Sequence, residues 1–322
     1  MIFTSFTYLL FFLIVFTVYW GLQKRKLQNF LLLIVSYIFY GWITPWFCLL
    51  IAASTLIDYF CGLKMVAFPE HKKKFLALSL LANLGMLGVF KYFNFFYTNL
   101  GALLTKLGLE YHPDVLQLAL PVGISFYTFQ TLSYSIDIYR GQLAPRKNFI
   151  DFALFVSFFP QLVAGPIERA KSFLPQVEQA RVWSWKSFDR AWPLILTGFF
   201  KKLVIADNIA FYADKVFMLQ SPSPLLLAAG TFAFSIQIYA DFSGYTDIAR
   251  GTARLFGFEL MRNFHFPYFA LSPSDFWQRW HISLSSWIRD YIYIPLGGSR
   301  QKKKKHYAIV IMLTMSLCGS RL

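Results

Sequence analysis

His281 lies in the stretch Ser272 to Gly298, SPSDFWQRWHISLSSWIRDYIYIPLGG, among tryptophans at 277, 280 and 287. An imidazole titrates near neutrality, so in an apolar cage it can serve as general acid or base on a hydroxyl. The same residue can equally be a neutral core histidine whose ring nitrogens are satisfied by backbone or a nearby hydroxyl, and the stretch alone leaves both readings open. A second set is Gln237, Asp241 and Tyr245, at four-residue spacing within an apolar run. Polar and ionisable groups in such a run line an internal path or tie helices together through hydrogen bonds. Asp241 and Asp247 are six positions apart, roughly 240° around a helix, so they do not form a paired-carboxylate set. Cys48, Cys61 and Cys318 lie within or at the ends of apolar runs without zinc or redox spacing; they read as packing residues, and no metal site is expected.

The elements that hold these groups follow from local signals. Ser272, Pro273 and Asp275 predict an N-cap, a first helical residue and a capping-box acid, so a helix should start there. It should run to about Tyr293, where Pro295 and the Gly297/Gly298 pair stop it. On one uninterrupted helix Trp277, Trp280, His281, Leu284, Trp287 and Ile288 share a face, and Gln278, Arg279, Ser286, Arg289 and Asp290 fall elsewhere.

The composition is 57% hydrophobic, 20% aromatic and only 15% charged, which describes an all-α polytopic membrane protein. The formal charge of +15 comes from Lys and Arg clustered between apolar runs, as in cytoplasmic loops, and nucleic acid is excluded as a partner. Apolar runs cover about Ile2–Leu22, Leu27–Tyr40 and Trp46–Leu63, separated by Lys24 to Lys26 and by Gly41 to Pro45, and followed by Lys64 and His71 to Lys74. With both basic loops cytoplasmic, the N-terminus faces outward. No basic segment precedes the first run and no small-residue cleavage site follows it, so it reads as a retained helix.

A run from Phe75 to about Leu104 crosses outward, Glu110 to Asp114 lies outside, and Leu116 to Tyr139 returns with a bend at Pro121 and Gly123. Phe149 to Pro166 is short and proline-broken, which predicts a re-entrant element. Ile167 to Arg190 reads as an interfacial segment with tryptophans at headgroup level. Trp192 to Ala213, interrupted by Lys201 and Lys202, and Pro224 to Ile248 give two further helices. Arg250, Arg254, Arg262, Arg279 and Arg300 then place the whole region from Arg250 to His306 on the cytoplasmic side, with His281 open to cytoplasmic substrates.

Four blocks resemble the membrane-bound O-acyltransferases, in particular the bacterial alginate and peptidoglycan O-acetyltransferase branch. They are PVGISFYTFQTLSYSIDIYRG from Pro121, FFPQLVAGPIER from Phe158, QIYADFSGYTDIARG from Gln237 and DFWQRWHISLSSWIRDYIYIPLGG from Asp275. The resemblance implies one membrane domain over residues 1–322, a ring of tilted, partly broken helices around a central tunnel. It implies transfer of an acetyl group from a cytoplasmic thioester, acetyl-CoA, toward an exported polysaccharide in the bacterial inner membrane. No bound cofactor is implied, and the partners are membrane lipid, the acyl-thioester donor and an extracytoplasmic acetyltransferase.

Two histidines are associated with the reaction in this family. His281 matches the first and is the catalytic candidate; Asp241, Tyr245, Gln237, Trp280, Trp277 and Arg279 are tunnel candidates. The second, in a Trp-His-Gly context after the next apolar helix, is the one the resemblance makes the usual catalytic base; it has no counterpart here, and the run Tyr307–Gly319 gives roughly 20 Å of helix against a core of roughly 30 Å. The expectation is a domain incomplete at its C-terminus, with little or no transfer by this chain alone. The other classes compatible with the residues are a transporter-like subunit, from the polar stripe and broken helices, and a non-catalytic scaffold of a polysaccharide-modifying complex.

Overall fold

Phe155 marks the centre of the molecule, because its carbonyl is where a helix is forced to break. Pro160 cannot continue the helix from Phe149, and Phe159 turns its backbone N–H to Ser36 Oγ at 3.0 Å. The freed Phe155 oxygen accepts instead from the side-chain amides of Gln130, at 3.2 Å, and Gln161, at 2.9 Å. The result is two short helices, α7 (Phe149–Ser157), buried from Asp151 onward, and α8 (Phe159–Leu162), buried throughout. This is the predicted re-entrant element, and its broken backbone is satisfied by protein.

The computed structural model describes residues 1–108, 121, 123–163 and 165–298, with no strand among them. The Glu110–Asp114 segment, the start of the Leu116 run, Arg300, the Lys302–Lys305 run, Tyr307–Gly319 and Cys318 lie outside the described residues. Around α7 and α8 pack α2 (Arg25–Gly41), α3 (Phe47–Ala67), α6 (Ile124–Tyr139), α9 (Ala170–Glu178) and α12 (Pro224–Leu255). The periphery holds α1 (Phe6–Gly21), α4 (Lys72–Leu87), α5 (Phe93–Lys106), α10 (Trp185–Phe199) and α11 (Asp207–Phe217). Among the described residues three stretches, Phe47–Ala67, Pro69–Phe95 and Pro224–Leu255, are long and apolar enough to cross a membrane.

Two expectations change. The apolar face of α9 does not lie in lipid: Phe173, Leu174 and Val177 are fully buried, with Phe173 against Phe155, Phe158 and Phe258. Trp185 alone of the segment's tryptophans is broadly exposed. The lysines between α10 and α11 sit in a π-helical turn, Phe200–Ala206, that keeps the two helices in line. There Lys201 Nζ pairs with Asp247 at 2.6 Å, while Lys202 pairs with Asp207 at 2.9 Å and with Asp241 at 2.5 Å. Gly198 and Gly244 let α10 and α12 approach until a Cβ on either would collide with the other's backbone carbonyl.

A polar knot escaped the sequence reading. Asp58 is fully buried between α3, α4 and α6, and accepts from Ser79 Oγ, from Ser135 Oγ at 3.0 Å and from Asn83 Nδ2 at 2.7 Å. Asn83 Oδ1 in turn accepts from Ser54 at 2.7 Å and Thr131 at 3.2 Å.

Candidate active site

The residues after α12 form a hairpin that returns along two helices. It leaves beside Arg254, which pairs with Glu259 at 2.6 Å, and Glu168 fastens its base by accepting from Met261 N–H at 2.5 Å. Phe264 then packs on Phe242, centroids 5.1 Å apart, and Tyr268 donates to the carbonyl of Ser235 at 2.5 Å. Between Arg254 and Ser235 lies roughly 28 Å of helix rise. The tip exposes Phe266, Phe269 and Leu271.

The return limb follows α6. Phe126 stacks beside His281, Trp287 donates to the Phe129 carbonyl at 2.9 Å, Tyr291 donates to Asp137 at 2.8 Å, and Arg140 donates to the carbonyl of Asp290 at 3.2 Å. Roughly 20 Å of rise separates Phe126 from Arg140. His281 is therefore set deep against α6 and α12, far from the basic ends of both. The expectation that Arg250 to His306 lies entirely at the cytoplasmic surface, with His281 at a cytoplasmic mouth, is corrected: an apolar limb reads as a loop by its arginines only when its packing is unseen.

The helix predicted from Ser272 to Tyr293 also differs. Ser272 caps it as expected, accepting from Asp275 N–H at 3.1 Å, but α13 (Pro273–Arg279) ends at Trp280. His281 adopts a left-handed backbone, φ 42° and ψ 55°, before α14 (Ile282–Ile288), and a π-helical turn, Arg289–Tyr293, completes the limb. A left-handed non-glycine residue costs about 1–2 kcal/mol, so the surroundings hold it there. The kink aims the ring into a cage of Phe242, edge-on at 4.8 Å, Phe264 and Phe126, both at 6.4 Å.

His281 is 4% exposed, closed in by these rings. Its Nδ1 lies 3.2 Å from Asn263 Oδ1, and its Nε2, though buried, has no protein partner. A neutral imidazole with one nitrogen tethered and the other open can take a proton from a hydroxyl brought to it.

The other predicted residues divide. Trp280 belongs to the cage wall, 5.1 Å from Phe264 and stacked on Phe276 at 5.6 Å. Trp277 meets Phe276 at 5.5 Å, and Arg279 is engaged by Asp275 at 2.7 Å, so neither forms the His281 cage. The stripe does not face the histidine. Asp241 turns to Lys202, and Tyr245 stacks on Phe3 at 4.6 Å. Gln237 lies in line with both, about 100° or more around α12 from Phe242.

On α12 it is Phe242 that reaches His281, with Tyr239 against the cage residues Phe264 and Trp280 and Thr246 one turn on from Phe242. Thr246 and the neighbouring Ser243 are buried with hydroxyls that have no protein partner, as does Gln161 Oε1 on α8. No sequence signal separated this face from the stripe beside it, since Ser and Thr in an apolar helix usually bond their own backbone.

A broken-helix membrane fold holding a deeply buried histidine with one open ring nitrogen has the parts for proton transfer to or from a hydroxyl. Residues 65–316 match the membrane-bound O-acyltransferase family, MBOAT, and the chain belongs to it. It is 43% identical to a Pseudomonas putida protein named probable alginate O-acetylase AlgI, over 99% of this chain and 66% of the relative. It is 36% identical to a Helicobacter pylori peptidoglycan O-acetyltransferase over 88% of the chain and 58% of the relative. A Bacillus subtilis teichoic acid D-alanyltransferase is 30% identical over 57% of the chain and 47% of the relative. The chain thus spans less than two thirds of the length of these relatives.

Proposed function

We propose that this chain carries a centre for O-acylation of an exported polysaccharide of the alginate or peptidoglycan type, with an acetyl thioester, acetyl-CoA, as cytoplasmic donor. The carrying observation is His281 Nε2, a buried, unpartnered base in an aromatic cage. Nε2 takes the proton of an acceptor hydroxyl while its oxygen bonds to the thioester carbonyl carbon. The tetrahedral intermediate collapses with breakage of the carbon–sulfur bond, and the imidazolium returns the proton to the leaving thiolate. The cage keeps water from the thioester. Thr246, Ser243 and Gln161 supply buried polar contacts for the substrates. The protein is multi-pass in the bacterial inner membrane with its basic loops cytoplasmic, and an extracytoplasmic acetyltransferase receives the group.

The relatives' names support the polysaccharide class, and the depth of His281 supports a reaction within the membrane layer. The test is labelled acetyl transfer in membrane vesicles from cells that make the protein. His281→Ala should lower the rate by about 10² to 10⁴ at normal protein level. A rate equal to wild type refutes the assignment.

A further inference from the structure

Asn263 is fully buried, 18 positions before His281, and its side chain is committed to one geometry. Its Oδ1 accepts from the backbone N–H of Ser283 at 3.2 Å and from Ser283 Oγ at 2.7 Å. A backbone N–H can only donate, so the amide must present its oxygen here and not its NH₂. That same oxygen stands 3.2 Å from His281 Nδ1, with Ser283 Oγ 3.4 Å away and already donating to the amide oxygen, so a proton on Nδ1 avoids two lone pairs facing each other. The backbone fixes both partners: Ile282 N–H donates to the Asn263 carbonyl and His265 N–H to the Arg279 carbonyl, each at 2.9 Å. The two limbs of the hairpin are thus clipped together at the histidine.

We propose that Asn263, held by Ser283, is the positioning residue that selects the Nδ1–H tautomer of His281 and leaves the Nε2 lone pair as the base. Its part in the reaction rests on His281 being the base; the tautomer assignment stands without that. With Nε2 protonated, a second buried donor would join the Asn263 amide N–H in lacking a partner, and Nδ1, served only by the Ser283 hydroxyl at 3.4 Å, would place a lone pair against the amide oxygen.

The decisive measurement is ¹⁵N NMR of histidine-labelled protein in lipid bilayers. There are five histidines, and the His281 signals are those lost in His281→Asn. Wild type should show a protonated Nδ1 and a bare Nε2. Asn263→Leu removes the acceptor and should give mixed tautomers or Nε2–H, with kcat down by about 10² to 10⁴ and KM little changed. Asn263→Asp keeps the acceptor, so Nδ1–H should persist, and its negative charge should move the acid limb of the pH–rate profile upward.

Nε2–H in wild type, or wild-type nitrogen shifts in Asn263→Leu, overturns the proposal. Should Asn263→Leu fail to fold, the wild-type and Asn263→Asp spectra still decide it. The wild-type tautomer as assigned together with full transfer by His281→Ala would remove the catalytic reading and leave the tether in place.

Discussion

Glu168 offers a test of how the hairpin is fastened. Its carboxyl is 2% exposed and accepts the Met261 N–H, and burial raises its pKa from 4.5 to about 7 against smaller opposing effects of that bond, Ser172, Arg250 and Arg169. A carboxyl whose folded pKa is raised favours the folded state when neutral. Its contribution is fully present below pH 4.5 and is lost as pH rises through about 7. At about 1.4 kcal/mol per unit the span is about 3 kcal/mol. Glu168→Gln keeps an oxygen for Met261 and removes the titration. Unfolding free energy measured in bilayer discs from about pH 4.5 to 8 should fall by roughly this amount in wild type relative to Glu168→Gln. Parallel curves for the two proteins would show that Glu168 does not titrate between folded and unfolded states in this window.

Asp58→Ala strands three buried donors, from Ser79, Ser135 and Asn83, and at about 1 kcal/mol for each should destabilise by about 3 kcal/mol. Asp58→Asn should cost less, since its oxygen still accepts; equal losses in the same unfolding measurement would contradict the knot described above. Gly123, at φ 77°, enters α6 with a Cβ position deep inside contact distance of the Leu162 carbonyl oxygen. Gly123→Ala should therefore abolish or sharply lower the yield of monodisperse protein, and a wild-type yield and melting temperature would contradict the packing.

The apolar runs disclosed the existence of α1 to α3 and α12, because lipid-length segments and their basic flanks are properties of the chain itself, but not all their ends: α1 starts later than its run, and α3 and α12 continue to Ala67 and Leu255. Proline chemistry disclosed the broken α7–α8 pair, and Ser272 its cap. The kink at His281 was hidden, since the aromatic spacing around it fits an unbroken helix and only Asn263, Phe242 and Phe126 impose the left-handed turn. The Gln237, Asp241 and Tyr245 stripe was legible as polar but not as paired, because Lys202 meets Asp241 from a π-helical turn whose register periodicity does not forecast. Asp58 and Asn263 left no signal at all: what distinguishes them is complete burial with several donors, a product of packing.

The cage around His281 joins parts of the chain made at very different times. Phe126 is laid down early, Phe242 much later, and the histidine with its tether after both. During synthesis the first helices can insert and pack while the centre still lacks its base and one wall. The cage cannot be complete until all of these segments have been made, so its closure waits on the last of them. A single hairpin lying against both α6 and α12 thus joins the early and late parts of the chain in one enclosure.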